Sequence, residues 1–383
     1  MGAAPRRSEM ARSGDARTFV TLDGLRGIAA LCVAFGHARF MYAGAPTELF
    51  SKSYLAVDFF FILSGFVLEH AYGEAIQGGM LLGQFLALRI IRLYPLYVLA
   101  LLLSAVLALL QPAGAIAETA DWPFALLLIP SPFSNDHLFP INIPAWSLFF
   151  EIIANLAFAT AGRLLSTRIL AAFVASAAVA MLLGVHFGWG GFGGNAAIDV
   201  GVNWSSIGGG FIRVAFSFFA GVLIYRIWLR RTPRFQVHPV VIAALLFALL
   251  MAYPEISHQP AFDLALAMIA FPIIVFLGAS SVPGKRIGKW LSWFGGISYG
   301  IYVLQMFAVT FIQWAVATYD GTKFKGVSAP SVIVSIGSLI VLATVCDVYF
   351  DRPVRRLIKA TLGWSRRQRN AEIRNRAAPS FKK

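Results

Sequence analysis

Apolar runs of about 20 residues, the length a helix needs to cross bilayer hydrocarbon, recur along this chain. Ten segments of the 383 residues qualify: 22–41, 54–72, 92–111, 144–162, 168–187, 209–229, 238–253, 262–280, 291–317 and 330–350. Backbone in lipid must satisfy its own polar groups, so runs of this length are expected to be helices. The reading is an all-α polytopic membrane protein with about ten transmembrane helices. The seventh segment is short. The stretch 122–130, WPFALLLIP, is shorter still and bounded by prolines, which suits an interfacial or re-entrant piece.

Composition agrees. Only 13% of residues are charged and 58% are hydrophobic, too few charges to cover a water-soluble globule of this size. The formal net charge of +14 does not indicate a nucleic-acid binder. The basic residues cluster at helix ends and in the last residues, where they orient the chain and attract anionic lipid headgroups. Cys32 and Cys346 both lie in apolar runs and carry neither a disulfide framework nor metal-ligand spacing, so no metal is expected. Arg6, Arg7, Arg12 and Arg17 precede the first segment without a small-residue cleavage site, which reads as a cytoplasmic tail. The organisation expected is a tail over 1–18, a membrane domain over 19–350 and a basic cytoplasmic tail over 351–383.

The positive-inside rule tests this segmentation independently. With the N-terminus inside, inner loops and helix ends hold Arg89, Arg92, Arg163, Arg168, Arg226, Arg230, Arg231, Arg234, Lys285, Arg286 and Lys289. Of the 32 Lys and Arg, only Arg39, Lys52, Arg213, Lys323 and Lys325 fall outside. Both termini are therefore expected in the cytoplasm, in a multi-pass protein of the inner membrane.

Ionisable groups at membrane depth are costly and are functional candidates. The first segment carries Arg26 near its inner end and His37 near its outer end. Eleven residues at 100° return to within about 20° of the starting direction and rise about 16 Å, so the two share one stripe. The plain alternative is that each snorkels to its nearer interface. The second segment brings Asp58 to the depth of His37, where a carboxylate can fix an imidazole's tautomer. Its Ser64-Gly65 pair suits a cavity wall or close helix packing. The fourth segment, PAWSLFFEIIANL, places Trp146, Ser147 and Glu151 in the same outer layer; an interfacial pair of Glu151 with Arg39 is the alternative. Arg89 and Arg92 share a face one turn apart. Their planar forks suit phosphate, or they are simply an orienting pair. Tyr299, Tyr302 and Gln305, with Ser298, present polar tips that line a cavity or pack between helices.

Together these residues resemble the acyltransferase-3 family of membrane acyltransferases. The run DGLRGIAALCVAFGH, holding Arg26 and His37, is followed in the family's order by VDFFFILSGF, RIIRLYP, WSLFFE, GISYGIYVLQ and YFDRP. The resemblance implies transfer of an acyl group, commonly acetyl, from cytoplasmic acyl-CoA as donor substrate, with no bound cofactor. The acceptor it implies is a hydroxyl of an extracytoplasmic or lipid-linked glycan or other glycosylated molecule. His37 matches the family's catalytic histidine, Arg26 its partner arginine, and Arg89 and Arg92 the donor-binding pair. Gln305 departs from the pattern, since that position is often His. An extra hydrolase-like domain found in some members is not expected in so short and basic a tail. A separate accessory protein or a homo-oligomer stays open.

On this reading the arginines hold CoA phosphates, and the pantetheine arm, on the order of 15–20 Å when extended, threads toward His37. His37 acts as general base on the acceptor hydroxyl or carries the acyl group itself, with Asp58 or Glu151 orienting it. The rival class is a transporter or flippase for a lipid-linked or small anionic solute. Such proteins often show repeated halves with broken helices, and no such symmetry is visible in the sequence.

Overall fold

A computed structural model describes residues 19–41, 50–110, 119–193, 197–231, 233, 235–252, 259–320 and 329–362. All ten expected segments are helical, and no strand occurs among the described residues. In chain order the helices are α1 (Val20–Met41), α2 (Ala56–Gln77), α3 (Leu82–Leu110), the short α4 (Trp122–Leu127), α5 (Ala145–Ala161) and α6 (Thr167–Phe187). Then follow α7 (Ile207–Arg230), α8 (Pro239–Met251), α9 (Gln259–Ser280), α10 (Lys285–Asp320), α11 (Ala329–Cys346) and α12 (Arg352–Thr361). Among the described residues, eight helical stretches are long and apolar enough to cross a membrane. α5 and α8 are apolar but shorter, at 17 and 13 residues. The Pro-bounded stretch after 121 forms only the six-residue α4, ended by Leu128 in a left-handed conformation.

Two faces of the bundle are defined by contacts at the helix ends. On one, Arg163 Nε donates to the Ile76 carbonyl at 3.1 Å, Thr21 Oγ1 to the Ser281 carbonyl at 3.1 Å, and Arg226 Nε to Glu69 at 2.6 Å. This is called the basic face below. On the other, the loops between helices close on each other: the Leu138 amide bonds the Val202 carbonyl, and Trp204 Nε1 the Ser131 carbonyl at 2.9 Å. α1 and α10 run parallel, because Arg26 meets Ser298 at their basic ends while His37 meets Gln305 further along.

Small residues let helices approach where lipid supplies no hydrophobic drive between them. At the crossing of α2 and α7, a Cβ on Gly65 would lie 1.9 Å from the Phe218 carbonyl oxygen. One on Gly221 would lie 2.0 Å from that of Ile62. Glycine is obligatory at both points, so the Ser64-Gly65 pair does serve packing, through its glycine.

α3 starts ten residues, nearly three turns, earlier than the apolar run suggests. Arg89 and Arg92 are consequently inside the helix, about 10 and 15 Å from its start, and not at its head. Polar side chains over 82–92 interrupt the hydropathy without interrupting the helix. Beyond α11, a single π-helical turn at Asp347–Asp351 buries both carboxylates, which pair with Arg352 at 2.5 Å and Arg355 at 2.6 Å respectively.

Candidate active site

A cavity of about 110 Å³ opens between α1, α2, α3, α5 and α10. Arg26, Arg89 and Arg92 line it together with one carboxylate, Glu151, so its polar end carries a surplus of positive charge. The three arginines are held differently. Arg26 donates to Ser298 Oγ and to the Gly295 carbonyl, both at 2.8 Å, and lies 3.2 Å from Asp23. Arg89 is buried and bonds Glu151 at 2.6 Å. Arg92 is exposed on the cavity wall, and among the described residues no carboxylate lies within ion-pair distance of it. The remaining wall, from Val57, Phe60, Phe61, Leu63, Val67 and Leu68 of α2 with Leu93 and Leu148, is apolar.

Of the residues expected to line a cavity, Ser64, Ser147, Tyr299 and Tyr302 do so; Trp146 and Gln305 do not. Trp146 is buried with its ring 5.5 Å from the Arg213 guanidinium. Gln305 is fully buried and contacts His37, its Oε1 lying 3.1 Å from His37 Nδ1. Gln305 Nε2 donates to the Tyr302 carbonyl at 2.8 Å. A backbone carbonyl only accepts, so the amide nitrogen must face Tyr302 and the amide oxygen must face the imidazole. His37 therefore carries a proton on Nδ1, donated to the Gln305 oxygen. His37 itself stands about one helical turn beyond the end of the cavity marked by Tyr302.

The expectation that Asp58 or Glu151 orients His37 is corrected. Asp58 is fully buried and engaged by Arg213 Nη2 at 2.7 Å, by Arg213 Nε and by Ser217 Oγ at 2.9 Å. Glu151 accepts from Ser64 at 2.9 Å and from Arg89. It lies six residues into α5, about 9 Å along the axis, which brings it to mid-bundle among the arginines. It is not in an outer layer with His37, and its cation is Arg89; the side chain of Arg39 falls outside the described residues. Gln305 occupies the place expected of a carboxylate. The departure from the common histidine at that position is thus where the imidazole finds its partner.

Sequence reasoning passed over several ionisable residues at depth. Arg213 and Lys52, counted as outer charges, are both fully buried: Arg213 on Asp58, Lys52 on Asp263 at 2.7 Å. Tyr54 bonds Asp263, and Asp199 lies 3.9 Å from Arg213. The signal was present, since Arg213 and Asp263 interrupt apolar runs as plainly as Asp58 does.

The model of the acyltransferase domain family Acyl_transf_3 matches residues 19–349 of the chain. A curated protein of Rhizobium radiobacter, described as protein 2 in the picA locus, is 41% identical over 188 residues. That alignment covers 44% of this chain and 96% of the relative. No solved structure matches. With most of the helical bundle inside that match, the chain belongs to the acyltransferase-3 family of integral membrane acyltransferases.

Proposed function

We propose that the protein is an O-acyltransferase of the cytoplasmic membrane. It moves an acyl group, acetyl in the simplest case, from cytoplasmic acyl-CoA to a hydroxyl of an extracytoplasmic or lipid-linked carbohydrate. The observation that carries this reading is a cavity with three arginines at its polar end and an imidazole, held by Gln305, one turn past its far end.

Arg92, unpaired and facing the cavity, supplies the strongest phosphate contact, with Arg26 beside it. Arg89 is committed to Glu151, so it contributes field more than a free fork. The apolar wall takes the pantetheine arm and excludes water, which limits loss of the thioester to hydrolysis. The rise of about 16 Å from Arg26 to His37 matches the length of that arm. His37 Nε2 takes the proton of the acceptor hydroxyl as its oxygen attacks the thioester carbon, and the departing CoA thiolate recovers that proton. Gln305 holds the imidazole in the reactive tautomer without adding charge.

The test is release of CoA from radiolabelled acetyl-CoA by native membrane vesicles holding the protein. Label should pass to an alkali-labile ester in a carbohydrate fraction. His37→Ala should lower this transfer about 100- to 10,000-fold, the usual contribution of a general base, without lowering the amount of folded protein. Near wild-type transfer by that variant would remove His37 from the reaction.

A further inference from the structure

We propose that the Tyr302 hydroxyl, positioned by Ser147, is the hydrogen-bond donor to the thioester carbonyl of the acyl donor. This rests on the acyl-CoA reading above and extends it to the oxyanion that any such transfer must form.

A carbonyl attacked between the arginines and His37 has to sit at the far end of the cavity. There the lining from Val57, Phe60, Phe61 and Leu148 offers no proton, and only Ser147 and Tyr302 carry O–H groups. The other hydroxyls of the cavity are committed elsewhere. Ser64 donates to Glu151, Ser298 to the Gly295 carbonyl at 2.7 Å, and Tyr299 to the Leu93 carbonyl at 2.6 Å.

At the far end the arrangement has a proton to spare. Ser147 Oγ donates to the Pro144 carbonyl at 3.0 Å, and the Tyr302 hydroxyl lies 2.7 Å from Ser147 Oγ and 3.3 Å from the same carbonyl. Pro144 is already served by Ser147. The Tyr302 proton can therefore turn toward an incoming oxygen without leaving a buried acceptor unsatisfied.

The ring that carries this proton is fixed. Phe60 meets it edge-on at 5.5 Å, and its own backbone carbonyl receives the Gln305 amide that orients His37. The oxyanion donor and the amide that orients the base thus share one turn of α10, the preorganisation that makes such donors effective.

The step balances. The acceptor oxygen forms a bond to the carbonyl carbon while His37 Nε2 takes its proton. The carbonyl π pair moves to oxygen, where Tyr302 O–H donates to it. On collapse the C=O reforms, the C–S bond breaks, and the thiolate takes the proton from His37. Tyr302 keeps its own proton throughout.

The experiment is isotope-edited infrared spectroscopy of acetyl-CoA labelled with ¹³C at the carbonyl, bound to the protein in nanodiscs. CoA release by native vesicles is followed in parallel. Wild type should shift the carbonyl band to lower wavenumber. Tyr302→Phe should still bind acetyl-CoA but leave the band at its free position, and turnover should drop about 100- to 1000-fold, the range for one lost oxyanion donor. Ser147→Ala should give a smaller shift than wild type and a smaller loss than Tyr302→Phe. A shifted band in Tyr302→Phe, or equal bands in wild type and Ser147→Ala, would overturn the assignment. Absence of acetyl-CoA binding to wild type would overturn the donor reading itself, an outcome distinct from bound donor with an insensitive carbonyl.

Discussion

Two of the charge clusters inside this bundle are built on opposite plans. Toward the loop-closed face, Arg213, Asp58, Lys52 and Asp263 have no solvent exposure worth the name, and each cation sits on a carboxylate. Around the cavity, Glu151 takes Arg89, Arg26 reaches back to Asp23 outside the lining, and Arg92 is left facing open space. A saturated network has nothing to offer a ligand, because every donor already has its acceptor. An unsaturated one is a binding site for anions. The contrast separates ionisable groups that hold helices together from those available for chemistry, although both kinds interrupt apolar sequence in the same way.

The largest effect should come from unbalancing the saturated cluster. Asp58→Ala or Arg213→Ala strands a charge in the interior and should lower stability by about 3–5 kcal/mol, read as the loss of unfolding midpoint in detergent. Replacing both together by apolar residues of similar size should recover most of that loss, because an ion pair so deeply desolvated contributes little net stability. If the single and double variants were equally unstable, the cluster would not be the closed unit described.

A smaller effect is expected at the open cluster, and of a different kind. Arg92→Ala should leave the unfolding midpoint unchanged and weaken acetyl-CoA binding by about 1–3 kcal/mol, the range for a hydrogen bond to a charged group. Arg92→Lys should restore only part of it, since the ammonium lacks the planar fork. Titration calorimetry in nanodiscs decides this, and unchanged affinity in both variants would place the donor phosphates elsewhere. Arg89→Ala should behave as a hybrid, losing stability through stranded Glu151 as well as affinity.

The smallest effect is expected where the two regions meet. Gln305→Leu removes one neutral hydrogen bond to His37, about 0.5–1.5 kcal/mol. It should slow turnover by roughly an order of magnitude or less while leaving donor affinity intact. A Gln305→Leu enzyme with wild-type turnover would show that the tautomer is fixed by something other than this amide.

The difference between the clusters also explains what could be read from the sequence. The helices were legible because an apolar run of about 20 residues has few other fates; the starts of α3 and α10 were placed too late, where Arg89 and the run Lys285, Arg286 and Lys289 depress hydropathy. The arginines and tyrosines of the cavity were legible as residue types, because helical spacing puts Arg89 with Arg92 and Tyr299 with Tyr302 on one face. Partners were not. Asp58 and Arg213 are 155 residues apart in sequence, and His37 and Gln305 are 268 apart. Periodicity within one helix fixes which way a side chain points but not which helix it meets. Depth alone therefore grouped Asp58 and Glu151 with His37, whereas helix order about the bundle gives one to Arg213 and the other to Arg89.

In the proposed reaction the donor enters the arginine-lined cavity from the basic face, the side on which the positive-inside rule would put the cytoplasm. Sealed vesicles of the native membrane test it most directly, with radiolabelled acetyl-CoA added to the outside. Inside-out vesicles expose the basic face and should pass label to the acceptor. Right-side-out vesicles should not, until they are permeabilised. Labelling by intact right-side-out vesicles at the rate of inside-out ones would contradict the account.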